Sequence, residues 1–515
     1  MSSRPPNIVL IHTDQQRYRS LGCTGDPYAV TPNLDAFARE ACNFHRHIAA
    51  NPVCMPSRAT LFTGRLPNAH GVWNNGVALP RKEYTRHDPD SAEEGRQAYG
   101  MEPVGHVPTF ADVFAAQGYR TAAVGKLHLT PTRAPKEYGY PEASVLWKDP
   151  QMAAWHGPYC GFEHVEVSLS HGEGTGGHYG AWREQYFPDV AKEVRSGEHR
   201  KSAPFKGVGD LYASVVPVEA HHSTWVAERS CAYIEAHATG QPFLLFAGFP
   251  DPHHPLTPPA DLAAEFAKRE VELPALGGAE APAKPEAFAR LSKPGPYAYT
   301  CATHLPPECI RLMRQYYAAM VHLIDRSVGR IFDTLKRQGL WDNTVVIFTS
   351  DHGDWLGDHG LRKKETLCSR QLVHVPFLMR APGTSLPRGS GAPMSNAAVL
   401  PTLCELAGAP TPAGIQGRSI LPVLAGREPA GLAPVIAYHL NPRYHNFSVH
   451  DERYRFTWYP VLNQRELYDH AEDPHELCNL AGQPATASEE DRLYRSLLEL
   501  TVRADNPCVG RVGLW

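Results

Sequence analysis

Cys54 stands in the string Asn51-Pro-Val-Cys54-Met-Pro56-Ser57-Arg58-Ala-Thr60-Leu-Phe-Thr63-Gly64-Arg65. Proline suits the first position of a helix, where its missing N–H has no partner anyway. Ala59, Leu61 and Phe62 continue a helical run and Gly64 can stop it. Cys54 is therefore expected at a helix N-terminus, where free amides and the macrodipole favour an anion. Alone, such a cysteine reads as a small buried hydrophobe. Other polar residues at the ends of apolar runs change that reading. Asp14 and Gln15 follow the run 7–13 and offer oxygen atoms to a hard metal ion. Lys126 and His128 follow Tyr119 to Val124 at a spacing of two, which puts them on one side of an extended segment. A cation and an imidazole pointing together suit an anionic substrate. His253 and His254 lie between Pro252 and Pro255, and the rigid rings fix their direction, as suits a positioned acid. Asp351 and His352 follow the run 344–349, and Lys363 and Lys364 close the next loop.

The apolar runs at 7–13, 119–124, 243–249 and 344–349 are short and rich in β-branched residues, as buried parallel strands are. Helical patterns separate them: 31–40, 109–117, 223–239 and 308–338. In the last, Ile310, Met313, Tyr317, Met320, Ile324, Val328, Ile331 and Leu335 recur at three- and four-residue spacing and form a core face. Alternating strands and helices imply an α/β fold with a mostly parallel central sheet, flanked by helices on both faces. Functional groups then collect at the carboxyl ends of the strands. Residues 68–77 read as a loop whose amides suit an oxyanion. Segment 80–107 reads as an exposed loop, and 130–220 as loops and short elements that shape a pocket rim; together they are expected to select the leaving group. A strand at 375–379 and helices at 396–408 and 417–424 follow. After residue 426 the texture changes to short strand-like runs at 434–440, 447–450, 454–459 and 466–468, with a closing helix at 489–504. Two units are expected: residues 1–425, and residues 426–515 with a small antiparallel sheet.

Of 515 residues 42% are apolar and 20% charged, with a formal net charge of −4. That balance gives no electrostatic case for nucleic acid or an anionic membrane. The 11 cysteines are odd in number and include no C-x-x-C pair, which argues against a disulfide framework and a zinc ribbon. Ile8 to Ile11 is too short for a signal-peptide core and no run reaches transmembrane length, so a cytoplasmic protein is expected. Homo-oligomerisation is left open.

In their order along the chain, Asp14-Gln15, Cys54-Met-Pro-Ser-Arg58 with Thr63-Gly-Arg65, Gly125-Lys126-Leu-His128, Pro252-His253-His-Pro255, Ser350-Asp351-His352-Gly353 and Gly357-Asp-His-Gly-Leu-Arg-Lys-Lys364 resemble the motifs of the type I sulfatases of the alkaline phosphatase superfamily. The likeness extends to Glu466-Leu-Tyr-Asp469 and Asp473-Pro-His-Glu476 near the C-terminus. The resemblance implies hydrolysis of a small-molecule or saccharide sulfate ester. It implies a formylglycine made from Cys54 by a formylglycine-generating enzyme, and one divalent metal ion at Asp14, Gln15, Cys54, Asp351 and His352. It further implies that Arg58, Lys126 and Lys364 hold the sulfate or the nucleophile, that His253 protonates the leaving oxygen, and that His128 takes a proton from the second hydroxyl of the hydrated aldehyde. Two positions depart from most sulfatases. Gln15 replaces an aspartate and His352 an asparagine, which lowers the negative charge, adds a nitrogen ligand and favours Mn²⁺ relative to Ca²⁺. The same pair is similar to the phosphonate monoester hydrolase branch, and Asn75 falls where that branch has a substrate-binding asparagine. Lys126 and His128 are sulfatase features. Two alternatives remain: phosphonate monoester or phosphodiester hydrolysis on this fold, or a metal-binding protein with an unmodified Cys54 and no turnover.

Overall fold

The computed structural model describes residues 5–84, 106–276, 284–291, 300–425, 434–440 and 445–504. The strands of the main sheet, in chain order, are β1 (Asn7–Thr13), β2 (Cys42–Phe44), β3 (Arg120–Gly125), β4 (His164–Leu169), β5 (Gly176–Gly177), β6 (Phe243–Gly248), β7 (Thr344–Ser350), β8 (Phe377–Arg380) and β9 (Gly389–Ser390). They lie in the order β9-β2-β8-β7-β1-β6-β3-β4-β5. The central run β7-β1-β6-β3-β4 is parallel. β8 runs antiparallel to β7, and β5 antiparallel to β4. The short strands β2 and β9 at one end of the sheet and the outer β4 carry no strong apolar signal in the sequence. Residues 130–220, expected as loops and short elements, include helices at His178–Tyr186 and Pro188–Ser196. Their short, His- and Gly-rich segments are ordered by packing on the sheet rather than by periodicity.

The principal helices are α1 (Pro32–Ala38), α2 (Cys54–Thr63), α3 (Phe110–Ala116), α4 (His222–Ala236), α5 (Pro307–Arg337), α6 (Val399–Ala407) and α7 (Ala487–Ala504). Residues of β1 alternate between two cores. Ile8 and Leu10 join Phe62 of α2, Phe110 of α3 and Leu403 of α6 on one face. Val9 and Ile11 join Trp225 of α4 and Ile324 and Val328 of α5 on the other. Burial on both faces is why these strands read as unbroken apolar runs.

Strands β10 (Val435–His439), β11 (Asn446–His450), β12 (Tyr454–Tyr459) and β13 (Gln464–Asp469) form the smaller antiparallel sheet, which α7 covers with Leu493 and Leu497. The boundary expected near residue 426 falls outside the described residues. Among the described residues no helix is long and apolar enough to cross a membrane.

One backbone contact at the centre tolerates only glycine. Gly125 ends β3 with φ +98°, and a Cβ there would sit 1.9 Å from the Gly248 carbonyl of β6. Gly125→Ala is therefore expected to destabilise the fold by about 3 kcal/mol, seen as a lower urea midpoint.

Candidate active site

Parallel pairing of β1 with β7 runs in register from Asn7↔Thr344 to Thr13↔Ser350. The residues that follow each strand, Asp14 and Asp351, therefore emerge side by side. Helix α2 begins at Cys54, with extended Val53 before it and Gly64 closing it at φ +65°. The helix starts two residues earlier than Pro56 suggested. Pro56 is its third residue, still among the first four whose N–H lacks a helical acceptor. The ligand atoms of Asp14, Cys54, Asp351 and His352 all lie within 4.8 Å of one another, and all four residues are buried.

Arg58, one turn along α2, has no exposed surface. Its Nη2 donates to Asp14 Oδ2 at 3.1 Å, Nε to Asp351 Oδ2 at 2.8 Å, and Nη1 to the Lys126 carbonyl at 2.9 Å. The sequence reading put Arg58 on the sulfate or the nucleophile. Each of its three nitrogens instead engages the protein, so it orders the carboxylates.

Gln15 has φ +67° and donates its backbone N–H to Asp351 Oδ1 at 2.9 Å. Its Nε2 contacts Asp354 and His254, which leaves Oε1 buried with no hydrogen-bond partner. His352 gives Nδ1–H to the Gly353 carbonyl at 2.9 Å, so Nε2 faces Cys54 Sγ at 3.2 Å and Asp14 Oδ1 at 3.7 Å. Two carboxylates, an unpartnered amide oxygen and an imidazole with its tautomer set from behind fit a divalent cation with oxygen and nitrogen ligands. Burial lowers the basicity of His352, but Asp351 and Cys54 together outweigh it and the net shift is upward. The site draws positive charge.

The cationic wall is equally tight. Lys364 Nζ lies 2.5 Å from Cys54 Sγ, 2.8 Å from His352 Nε2 and 3.0 Å from His253 Nε2. Lys126 Nζ lies 2.5 Å from Asp14 Oδ2 and also contacts His171. Burial and Asp14 push the Cys54 thiol up, yet Lys364, His352 and Lys126 together hold it well below the ordinary thiol range. Burial likewise opposes ionisation of Asp14, but the cations Lys126 and Arg58 keep its carboxyl well below the usual carboxylate range.

Burial, reinforced by Lys126, brings His128 down to about 4, with Cys54 acting in the opposite direction. His128 joins this cluster by a route the spacing rule missed. β3 stops at Gly125, and His128 has φ +58°, so a left-handed turn replaces the extended segment. Asn75 is exposed on its loop and accepts the Met55 N–H at 3.0 Å, tying that loop to the start of α2.

Four further residues belong to this site. His171 stacks on His253 with ring centroids 3.5 Å apart. Asp354 and His254 orient the Gln15 amide. Glu142 is buried, and its carboxylate accepts the consecutive backbone N–H groups of His128, Leu129 (2.8 Å) and Thr130 (2.9 Å), together with the Tyr159 hydroxyl at 2.7 Å. It thus holds the unusual His128 backbone in place. His254 and Asp354 adjoin recognised motif residues, which was a usable signal. Nothing local marks Glu142, because its partners arrive by folding.

The sulfatase family matches residues 6–409, and the family described as N-sulphoglucosamine sulphohydrolase, C-terminal, matches residues 357–503. The chain belongs to the sulfatase family. It is thereby a sulfuric ester hydrolase of the alkaline phosphatase superfamily. It is 28% identical to the multifunctional alkaline phosphatase superfamily protein PehA of Trinickia caryophylli, over 94% of this chain and 92% of that protein. It is 25% identical to the arylsulfatase of Clostridium perfringens, over 96% and 94%. The crystal structure of the phosphonate monoester hydrolase of Agrobacterium radiobacter superposes with a TM-score of 0.74 at 23% identity, covering 97% of this chain and 96% of that one, which shows the shared fold.

Glu142→Gln is expected to lower kcat for a sulfate ester by about tenfold through loss of a charge-assisted hydrogen bond, with KM changed less than about twofold. Steady-state kinetics check the split, because general loosening of the pocket would raise KM as well.

Proposed function

We propose that this sulfatase works with a formylglycine formed from Cys54 and with a divalent ion held by Asp14, Gln15, Asp351 and His352. The observation that carries the reading is Cys54 Sγ, at the start of α2, beside both Lys364 Nζ and His352 Nε2. Formylglycine supplies, once hydrated, a hydroxyl nucleophile for sulfur and a second hydroxyl whose deprotonation expels sulfate. The ion supplies Lewis-acid stabilisation of charge on the transferred group. Lys126 and Lys364 bind the sulfate oxygens and match the charge that develops there. His253 donates Nδ1–H to the His254 carbonyl at 2.5 Å, so Nε2 is its working atom. Burial, His171, His254 and Lys364 hold that imidazole neutral. Its Nε2, 3.0 Å from Lys364 Nζ, takes a proton from solvent as the sulfate anion enters and passes it to the leaving oxygen, while Lys364, its basicity raised, stays charged. His128, also neutral, accepts the proton of the second hydroxyl.

Mn²⁺ rather than Ca²⁺ is favoured by the His352 nitrogen and the neutral Gln15. A second reading, phosphonate monoester or phosphodiester hydrolysis, is favoured by that same Gln15–His352 pair. Residues 85–105 of the loop expected to select the leaving group lie outside the described residues. The substrates to compare are therefore aryl sulfates, saccharide sulfates and phosphodiesters.

Co-expression with a formylglycine-generating enzyme is expected to lighten the Cys54 peptide by about 18 Da, with turnover of sulfate esters and its loss in Cys54→Ala. Phosphodiester cleavage with no sulfate-ester turnover would replace the first reading by the second, and an unmodified thiol in fully active protein would remove the nucleophile assignment. Dialysis against EDTA is expected to abolish turnover, with Mn²⁺ restoring more of it than Ca²⁺. A base works only when deprotonated, so a depressed His128 keeps it competent in acid. The acidic limb of the kcat–pH profile is expected well below the 6.5 of free imidazole.

A further inference from the structure

A second cationic pocket lies where the two sheets meet. It has a volume of about 220 Å³ and is lined by Tyr18, Arg46, Arg370, His374, His450 and Asp451, among others. None of its lining residues belongs to the active-site cluster. It nevertheless adjoins that cluster through backbone, since Tyr18 N–H donates to the His374 carbonyl at 3.0 Å and Gly353 N–H to the Leu372 carbonyl at 2.7 Å.

The charge in this pocket is one-sided. Arg46 gives Nη1–H to the Gly391 carbonyl at 3.1 Å. Arg370 gives Nη1–H to the Pro474 carbonyl at 3.2 Å and Nε–H to His374 Nδ1 at 3.3 Å. A guanidinium carries five N–H donors, so both keep unused ones. The lining carboxylate, Asp451, is already engaged. Its Oδ2 pairs with Arg492 at 2.5 Å, and its Oδ1 accepts the N–H groups of Arg453 (2.7 Å) and Tyr454 (2.6 Å). The carboxylate behind the wall, Glu476, is held by Arg455 at 2.6 Å and His470 at 2.8 Å. His450 is 3% exposed. Its Nε2 meets Ser448 Oγ at 3.1 Å, while its Nδ1 is buried with no hydrogen-bond partner. Burial lowers the basicity of Arg370, Glu476 opposes this, and the like charge of Arg46 adds to it. Among the described residues, the two guanidinium groups that line this space have no carboxylate paired with them.

We infer that this pocket binds a tetrahedral oxyanion of sulfate or phosphate size between Arg46, Arg370 and His450, apart from the site of ester hydrolysis. Planar guanidinium groups match such oxygens in paired hydrogen bonds, and Arg46 and Arg370 both keep N–H donors for them. The oxyanion is either free in solution or a second acidic group carried on the substrate.

Selenate is a heavy stand-in for sulfate. Crystals of the full wild-type chain soaked in millimolar sodium selenate are expected to show anomalous selenium density between Arg46, Arg370 and His450. In calorimetric titration, Arg46→Gln is expected to weaken that binding by about tenfold or more, while turnover of a singly sulfated ester is unchanged. A raised KM in Arg46→Gln for a multiply sulfated oligosaccharide alone identifies a substrate-borne group. An unchanged KM for both esters, with selenate binding weakened, identifies a free anion. No selenium density in the wild-type pocket, or selenate binding indifferent to Arg46→Gln, overturns the inference. The soak uses unaltered protein, so it stands even if the variant folds poorly.

Discussion

The guanidinium of Arg58 is the contact on which the site depends. It has no exposed surface and lies against two carboxylates, 3.1 Å from Asp14 and 2.8 Å from Asp351. Two buried like charges at adjacent strand ends repel each other, and each is costly to remove from water. Arg58 offsets both terms at once and anchors to the Lys126 carbonyl, which belongs to a third strand end. Helix α2 is thereby held against three strand ends, and Cys54, one turn before Arg58, arrives at the same point.

Around that contact the site is a dense alternation of charge. Lys126 and Lys364 lie on the substrate side of the carboxylates, with His128, His171 and His253 among them. Burial alone would neutralise every one of these groups. Their mutual interactions overturn this for Asp14 and Asp351, which stay ionised, whereas burial, with neighbouring cations adding to it, holds the substrate-side imidazoles neutral. Neutral imidazoles between cations are ready to move protons rather than to add charge. Gly353, whose Cβ would meet the Gln371 carbonyl at 2.1 Å, joins the ion-binding loop to the segment that reaches the small sheet. The C-terminal part of the chain thus braces the site from behind.

Much of this was legible beforehand because parallel strands buried on both faces leave long apolar runs, and because each run stops at a polar pair. Asp14-Gln15, Lys126 with His128, His253 and Asp351-His352 were all found at such ends. Strands such as Cys42–Phe44 are too short to carry a pattern, and β4 sits in a segment whose Gly and His content resembles loop. Arg58 was found but its partners were not, since a guanidinium beside a cysteine in sequence says nothing of which oxygens it will meet. His128 was found for the wrong geometric reason, because its left-handed backbone is imposed by Glu142 from outside the strand.

By itself, then, the sequence determined the class of fold, the order of the principal strands and helices, and the set of reactive residue types, because periodicity and local spacing encode them directly; the family came from the resemblance of its motifs. Tertiary structure alone decided which carboxylates Arg58 bridges, that Glu142 shapes the His128 turn, that the Gln15 amide oxygen is left free, and that Arg46, Arg370 and His450 share one space. Each of these joins residues far apart in sequence through burial and pairing, and a buried charge takes its meaning from the neighbours that folding delivers to it.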